Sequence, residues 1–185
     1  MKQTLLIIDA QQDLIEGSPV EEAVFKKEHL ISTINKVIEK ASKCNVPVVF
    51  VRDTDVAEGR GKGFQVHENI NVPKDAKSFD KTATNSFHGT GLLDHLRSQA
   101  IQHVVIMGCV TQHCIDTAVR TATVKGFDVT LVGDGHSTTD SKVLSAEQII
   151  NHHNETLHGH YNVDHFSMVR NSDEDLFTPL HHTYR

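Results

Sequence analysis

The sequence predicts an α/β protein, a three-layer α/β/α sandwich around a mostly parallel sheet of roughly six strands. Three observations carry that expectation. Short β-rich runs alternate with longer helical patterns along the chain. The strand candidates are apolar throughout rather than alternating, as in strands covered on both faces. No repeat, low-complexity tract or linker divides the 185 residues, a length suited to one domain over 1–185. Parallel strands of this kind are joined by helical crossovers and present their chemistry at their carboxyl ends, where strand order reverses.

The elements follow in order. Thr4–Asp9 (TLLIID) is a continuous apolar run closed by a carboxylate, the pattern of a buried strand. After a loop holding Gly17 and Pro19, residues Leu30, Ile31, Ile34, Val37, Ile38 and Ala41 recur at helical spacing and predict a helix over 28–43. Val46–Val51 (VPVVFV) is the second strand, and residues 53–78, polar with glycines at 59, 61 and 63, read as a long excursion. A short strand is expected at Ser78–Lys81, then a helix after Gly91 marked by Leu92, Leu93, Leu96 and Ala100. His103–Met107 (HVVIM) is a strand, and 113–125 is a helix stopped by Gly126, the residue type that best closes helices. Val129–Val132, a helix over 144–158 and a last strand at Val163–Val169 complete the pattern.

Composition narrows the function. With 18 Lys+Arg against 24 Asp+Glu and a net charge of −6, the chain lacks the basic face that nucleic-acid binding requires. Its longest apolar runs are about six residues, far short of the ~20 of a membrane span. The N-terminus MKQTLLIIDAQQD reaches acidic residues too early for a signal peptide. Three cysteines are too few for a disulfide framework, which points to a cytoplasmic protein. Histidine is in excess, 14 residues with seven after position 150, yet no H-E-x-x-H pattern occurs. His152 and His153 are adjacent and project about 100° apart on a helix, and His181 and His182 lie in a terminal tail, so the expectation is no metal. The histidines read instead as a surface that titrates between about pH 6 and 7.

Three strand ends carry the chemistry. Asp9 ends the first strand, Lys81 the short strand before Gly89, and the HVVIM strand runs into Gly108-Cys109-Val110-Thr111-Gln112-His113-Cys114, which opens a helix. A thiol in the first turn of a helix meets unpaired N–H groups and a positive dipole end, which favour thiolate. Lys81 nearby favours it further, and Asp9 can accept the proton. The competing reading has Cys114 as a small buried hydrophobe, Asp9 as a cap and Lys81 as a solvated charge. Gly59-Arg60-Gly61-Lys62-Gly63 lacks the spacing of a phosphate loop, and no G-x-S-x-G elbow is present.

Taken together, these motifs resemble the isochorismatase-like cysteine hydrolases, which include nicotinamidases, N-carbamoyl amidohydrolases and streptothricin hydrolases. The resemblance rests on Leu5-Leu6-Ile7-Ile8-Asp9-Ala10-Gln11, on Lys81 followed by Phe87-His88-Gly89-Thr90-Gly91-Leu92, on Gly108 through Arg120, and on Asp134 through Asp140. It implies an Asp9–Lys81–Cys114 triad, a cis peptide between Cys109 and Val110, and an oxyanion hole from the N–H groups of Val110 and Cys114. It implies hydrolysis of a C–N bond in a small amide, lactam or carbamoyl substrate through a thioester, with no cofactor. Gln11, Arg52, Phe87 and His113 are the candidate pocket residues, and a homodimer or higher homo-oligomer is expected. Nicotinamidases hold a metal through an Asp-x-His motif after the second strand and carry Asp two residues before the cysteine; here that region reads Arg52-Asp53-Thr54-Asp55, and Gln112 precedes the cysteine. Isochorismate hydrolysis does not use a cysteine, so Cys114 counts against it. The Lys81–Thr90 stretch, the run to Cys114 and the 146–154 helix are similar to the streptothricin-hydrolase subgroup. A ligand-binding or redox-sensing protein of the same fold, and a histidine-based metallohydrolase, are the alternatives.

Overall fold

The computed structural model describes residues 1–177. Strands β1 (Gln3–Ile8), β2 (Val48–Asp53), β3 (Lys77–Lys81), β4 (His103–Cys109), β5 (Asp128–Ser137), β6 (Tyr161–Asn162) and β7 (His165–Arg170) form one seven-stranded sheet ordered β3-β2-β1-β4-β5-β7-β6. Neighbours are parallel except for β6 and β7. The helices are α1 (Gln12–Glu16), α2 (Lys27–Lys43), α3 (Gly61–Phe64), α4 (Leu92–Ser98), α5 (Asp116–Val124) and α6 (Ala146–Leu157). The α/β sandwich is as expected, with one strand more than six. Val163, read as the start of the last strand, is instead a turn residue at φ 53 and 94% exposed, and the chain folds back there to add β6.

Burial on both faces is visible in β1. Leu5 and Ile7 pack with Leu30, Ile34 and Val37 of α2, while Leu6 and Ile8 pack with Leu96 of α4 and Val119 of α5. All four strand residues are 0% exposed, which is why the run shows no polar alternation.

Strand boundaries shift where backbone hydrogen bonding decides. The second strand begins at Val48 rather than Val46, because the Val46 N–H closes the end of α2 on Ala41 O at 2.8 Å and Pro47 has no N–H. It runs on to Asp53, which pairs with Lys81. β5 extends past the expected Val129–Val132 through Asp134-Gly135-His136-Ser137 by shifting register against β4 between Ile106 and Gly108. The predicted helix from 113 is divided into a π-helical turn, Thr111–Ile115, and α5. Gly126 follows α5 at φ 92, as expected.

The chain runs outward from β1 to β3 and then sets β4 on the other edge of β1, so order reverses between β1 and β4. The two strand ends approach closely. A Cβ on Gly108, at φ +123, would lie 2.0 Å from Ile8 O, so only glycine fits. No helix among the described residues is long and apolar enough to cross a membrane. His181 and His182 lie outside the described residues.

Candidate active site

Asp9 leaves the end of β1 at φ 51, a left-handed conformation that aspartate tolerates better than most residues. Lys81 ends β3, two strands away. With neighbouring strands about 4.8 Å apart, only a long side chain crosses the end of β2 to reach Asp9. It does so: Lys81 Nζ lies 3.0 Å from Asp9 Oδ2 and donates to Cys114 Sγ at 3.4 Å. The same ammonium contacts Asp53 Oδ2 at the end of β2. Three strand ends and the turn after β4 thus converge on one buried cation.

Burial sets the charges. The Lys81 side chain is 0% exposed and Asp9 2%, so the solvated-surface reading of Lys81 is wrong. Desolvation pushes Asp9 up to about 6, against the pull of Lys81 and of the Cys114 thiol, with Asp53 adding to the rise. Burial alone would lower Lys81, but the charges of Asp9, Asp53 and the thiol site hold it above the usual lysine value, so it stays an ammonium. Burial and the Asp9 charge push Cys114 up to about 12 despite Lys81. The expected thiolate is therefore a neutral thiol at rest: loss of water outweighs the nearby cation. Asp9 Oδ1 is buried with no hydrogen-bond partner among the described residues.

Asp9, Asp53 and Cys114 have ligand atoms within 4.8 Å of one another, a cluster of metal-binding type. Their shared positive charge is the Lys81 ammonium, which contacts all three. The nearest histidine in sequence to Asp53, His67, bonds Glu16 Oε1 at 2.9 Å instead. His67, His103 and His136 are buried, so the surface reading fails for these three.

The peptide between Cys109 and Val110 is cis. Cys109 is fully buried on the α2 face of the sheet, and burial raises its thiol well above the ordinary range. Thr111 begins the turn that carries Cys114, and a buried chain fixes it. Asn154 Nδ2 donates to Gly133 O at 2.9 Å, so its Oδ1 accepts from His136 Nε2 at 2.9 Å. Burial lowers His136 to about 4 and keeps it neutral, so its Nδ1 accepts the Thr111 hydroxyl at 2.9 Å.

The four candidate pocket residues separate. His113 precedes Cys114 and is exposed. Gln11 is 0% exposed and turned inward: it donates to Asp53 O at 3.0 Å and Phe64 O at 2.9 Å and accepts from Asp53 N at 2.7 Å. Arg52 is committed to Asp80 at 2.8 and 3.1 Å and to Gln65 at 3.0 Å, and lies over the Phe64 ring. Phe87 stacks on Phe127, beyond the far end of α5 from Cys114, and packs on the core. Of the four, only His113 is exposed to solvent and next in sequence to the cysteine. The sequence places Asp53 with Arg52 at the end of the second strand, near the expected cleft; its role as a partner of Lys81 lies in register, since β2 and β3 set the two residues opposite each other.

Comparison with known proteins gives the family and the fold. The isochorismatase domain model matches residues 3–152, a span holding Asp9, Asp53, Lys81 and Cys114. An uncharacterised isochorismatase family protein of Bacillus subtilis, YrdC, is 29% identical over 138 residues, 72% of each chain. A streptothricin hydrolase of Streptomyces noursei is 25% identical over 142 residues, 75% of this chain and 55% of that protein. The crystal structure of a putative isochorismatase hydrolase from Oleispira antarctica superposes with a TM-score of 0.82 at 25% identity, covering 93% of this chain and 94% of that one. A sheet that reverses between β1 and β4, with an acid, a lysine and a thiol gathered at that point, belongs with the sequence match, and the chain is a hydrolase of the isochorismatase family.

Proposed function

We propose that the protein is a cysteine hydrolase cleaving a C–N bond of a small amide, lactam or carbamoyl compound, with Asp9, Lys81 and Cys114 as its catalytic residues. The observation that carries this is a single buried ammonium lying 3.0 Å from a carboxylate oxygen and 3.4 Å from a thiol sulfur. Asp9 takes the thiol proton as sulfur attacks the carbonyl carbon, and the N–H groups of Val110 and Cys114 receive the oxyanion. Asp9 returns the proton to the leaving nitrogen as the C–N bond breaks, which leaves a thioester. Water then gives a proton to Asp9 and attacks; the C–S bond breaks, and the proton returns to sulfur. Lys81 stabilises the developing thiolate throughout. Because Cys114 rests neutral, proton transfer accompanies attack rather than preceding it.

The neutral, nearly buried thiol argues against a redox sensor, which needs an exposed cysteine of low pKa. Similarity to a streptothricin hydrolase supports an amide-type substrate, and three free cysteines suit a reducing cytoplasm. The test is a panel of amides, lactams and carbamoyl compounds assayed with wild type, Cys114→Ala and Cys114→Ser. Wild type should turn over at least one class and both variants should lose about 10³-fold or more in kcat/KM. No turnover, together with failure of an electrophilic amide analogue to label Cys114, defeats the proposal.

A further inference from the structure

We infer that Asp53 is a positioning residue for the general base: by sharing the Lys81 ammonium it keeps Asp9 a proton acceptor at neutral pH. This rests on the hydrolase reading above and adds a fourth residue to it. Asp53 and Lys81 are register partners at the ends of β2 and β3. Each carboxylate oxygen of Asp53 has its own donor, Oδ1 the Asp55 N–H at 3.0 Å and Oδ2 the Lys81 ammonium. Its backbone is held on both sides by the buried Gln11 amide, at 2.7 Å from N and 3.0 Å from O. That clamp explains why Gln11 faces inward: it locates Asp53.

The two carboxylates on Lys81 are not equivalent. The Asp53 side chain is 17% exposed against 2% for Asp9, so water helps Asp53 keep its charge while Asp9 depends on Lys81. A carboxylate that owned the ammonium alone would be held as a strong acid and would be a poor acceptor for a thiol proton. With Asp53 competing for the cation and adding its own negative field, Asp9 gains proton affinity. The charged and titratable groups facing Asp9 are Lys81 from β3, Asp53 from β2 and Cys114 from the π turn, with the Cys109 thiol of β4 within its field. Removing the Asp53 charge acts on Asp9 twice in the same direction, by deleting a repulsion and by concentrating Lys81 on it.

The test is the pH dependence of Cys114 alkylation by iodoacetamide, which needs no substrate, run beside hydrolysis of whichever amide the panel yields. Wild type should show an acid limb near pH 6, and Asp9→Asn should lose it. In Asp53→Asn the limb should move down by about one pH unit, with a lower plateau because Asp9 is then a weaker base. Asp53→Glu, which keeps the charge, should keep the limb near its wild-type position. A folded Asp53→Asn protein whose limb stays at the wild-type pH overturns the inference, whatever its plateau. If Asp53→Asn does not fold, Asp53→Ser is read by the same criterion. A wild-type limb that shifts in Asp53→Asn, with no amide hydrolysed by any form and no labelling of Cys114 by the electrophilic amide analogue of the panel, would uphold the Asp53 coupling while defeating the proposal of C–N hydrolysis.

Discussion

Replacing Lys81 with methionine keeps most of the side-chain volume and removes the one positive charge among Asp9, Asp53 and Cys114. An opposite charge at this range moves a carboxyl by about 1–3 pKa units. Taking about two, Asp9 rises from about 6 to roughly 8, and its ionised fraction at pH 7 falls from about nine-tenths to about one-tenth. Loss of the donor on sulfur removes a further ~10- to 100-fold from thiolate reactivity. Alkylation and hydrolysis at pH 7 should therefore fall by about 10²–10³-fold. Stability carries a second signature. The folded-state pKa of Asp9 already lies above its unfolded value, and the variant raises it further. Folded protein then retains a proton that unfolded chain has lost, and stability falls as pH rises through that window. Two units correspond to about 3 kcal/mol, so the stability gap between wild type and Lys81→Met should widen by that much from pH 5 to pH 9 in urea melts. Parallel stability curves and unchanged alkylation would refute the placement of this cation.

Three further outcomes follow from individual contacts. Wild-type kcat/KM should fall about tenfold per pH unit below 6, because Asp9 must be ionised to accept the thiol proton; a profile flat to pH 4.5 would exclude Asp9 as the base. Gln11→Leu should cost about 2–4 kcal/mol in denaturant melts by orphaning the Asp53 and Phe64 backbone groups it satisfies, and should lower kcat more than it raises KM. Gly108→Ala sets a Cβ 2.0 Å from Ile8 O at φ +123 and should cost more than about 4 kcal/mol or prevent folding, as read by circular dichroism.

The parts of this molecule legible in its sequence are those decided locally. An apolar run buried on both faces shows itself in Leu5–Ile8 without any partner being named, and the residue that ends such a run in a parallel sheet stands at the functional edge. That rule points to Asp9, while Lys81 ends a short and mostly exposed strand and Cys114 lies in the turn after β4. What stayed hidden depends on which hydrogen-bonding groups are already spoken for. Gln11, three residues past β1, is as polar as any pocket residue, yet all its bonds are made to the backbone. Arg52 is a strand-end cation whose guanidinium is closed by Asp80 across one register step. Phe87 sits close to Lys81 in sequence, but its ring stacks on Phe127 and packs on the core.

The charge state of Cys114 shows the same division in energetic form. Helix position and a neighbouring lysine both favour thiolate, and both are visible in sequence. The opposing influences are burial, with Cys114 only 8% exposed, and the Asp9 charge beside it, and both are set by packing; together they raise the thiol despite Lys81. A thiol that rests protonated beside a carboxylate of raised pKa is a reservoir for one proton shared between two atoms, not a preformed nucleophile. On the proposed mechanism, reactivity then depends on an electrophile entering the site to draw the proton across. The ammonium that makes this transfer feasible is held by two acids. In the proposed mechanism the drier of them moves the proton, because a group with no water of its own has its proton affinity set by its neighbours.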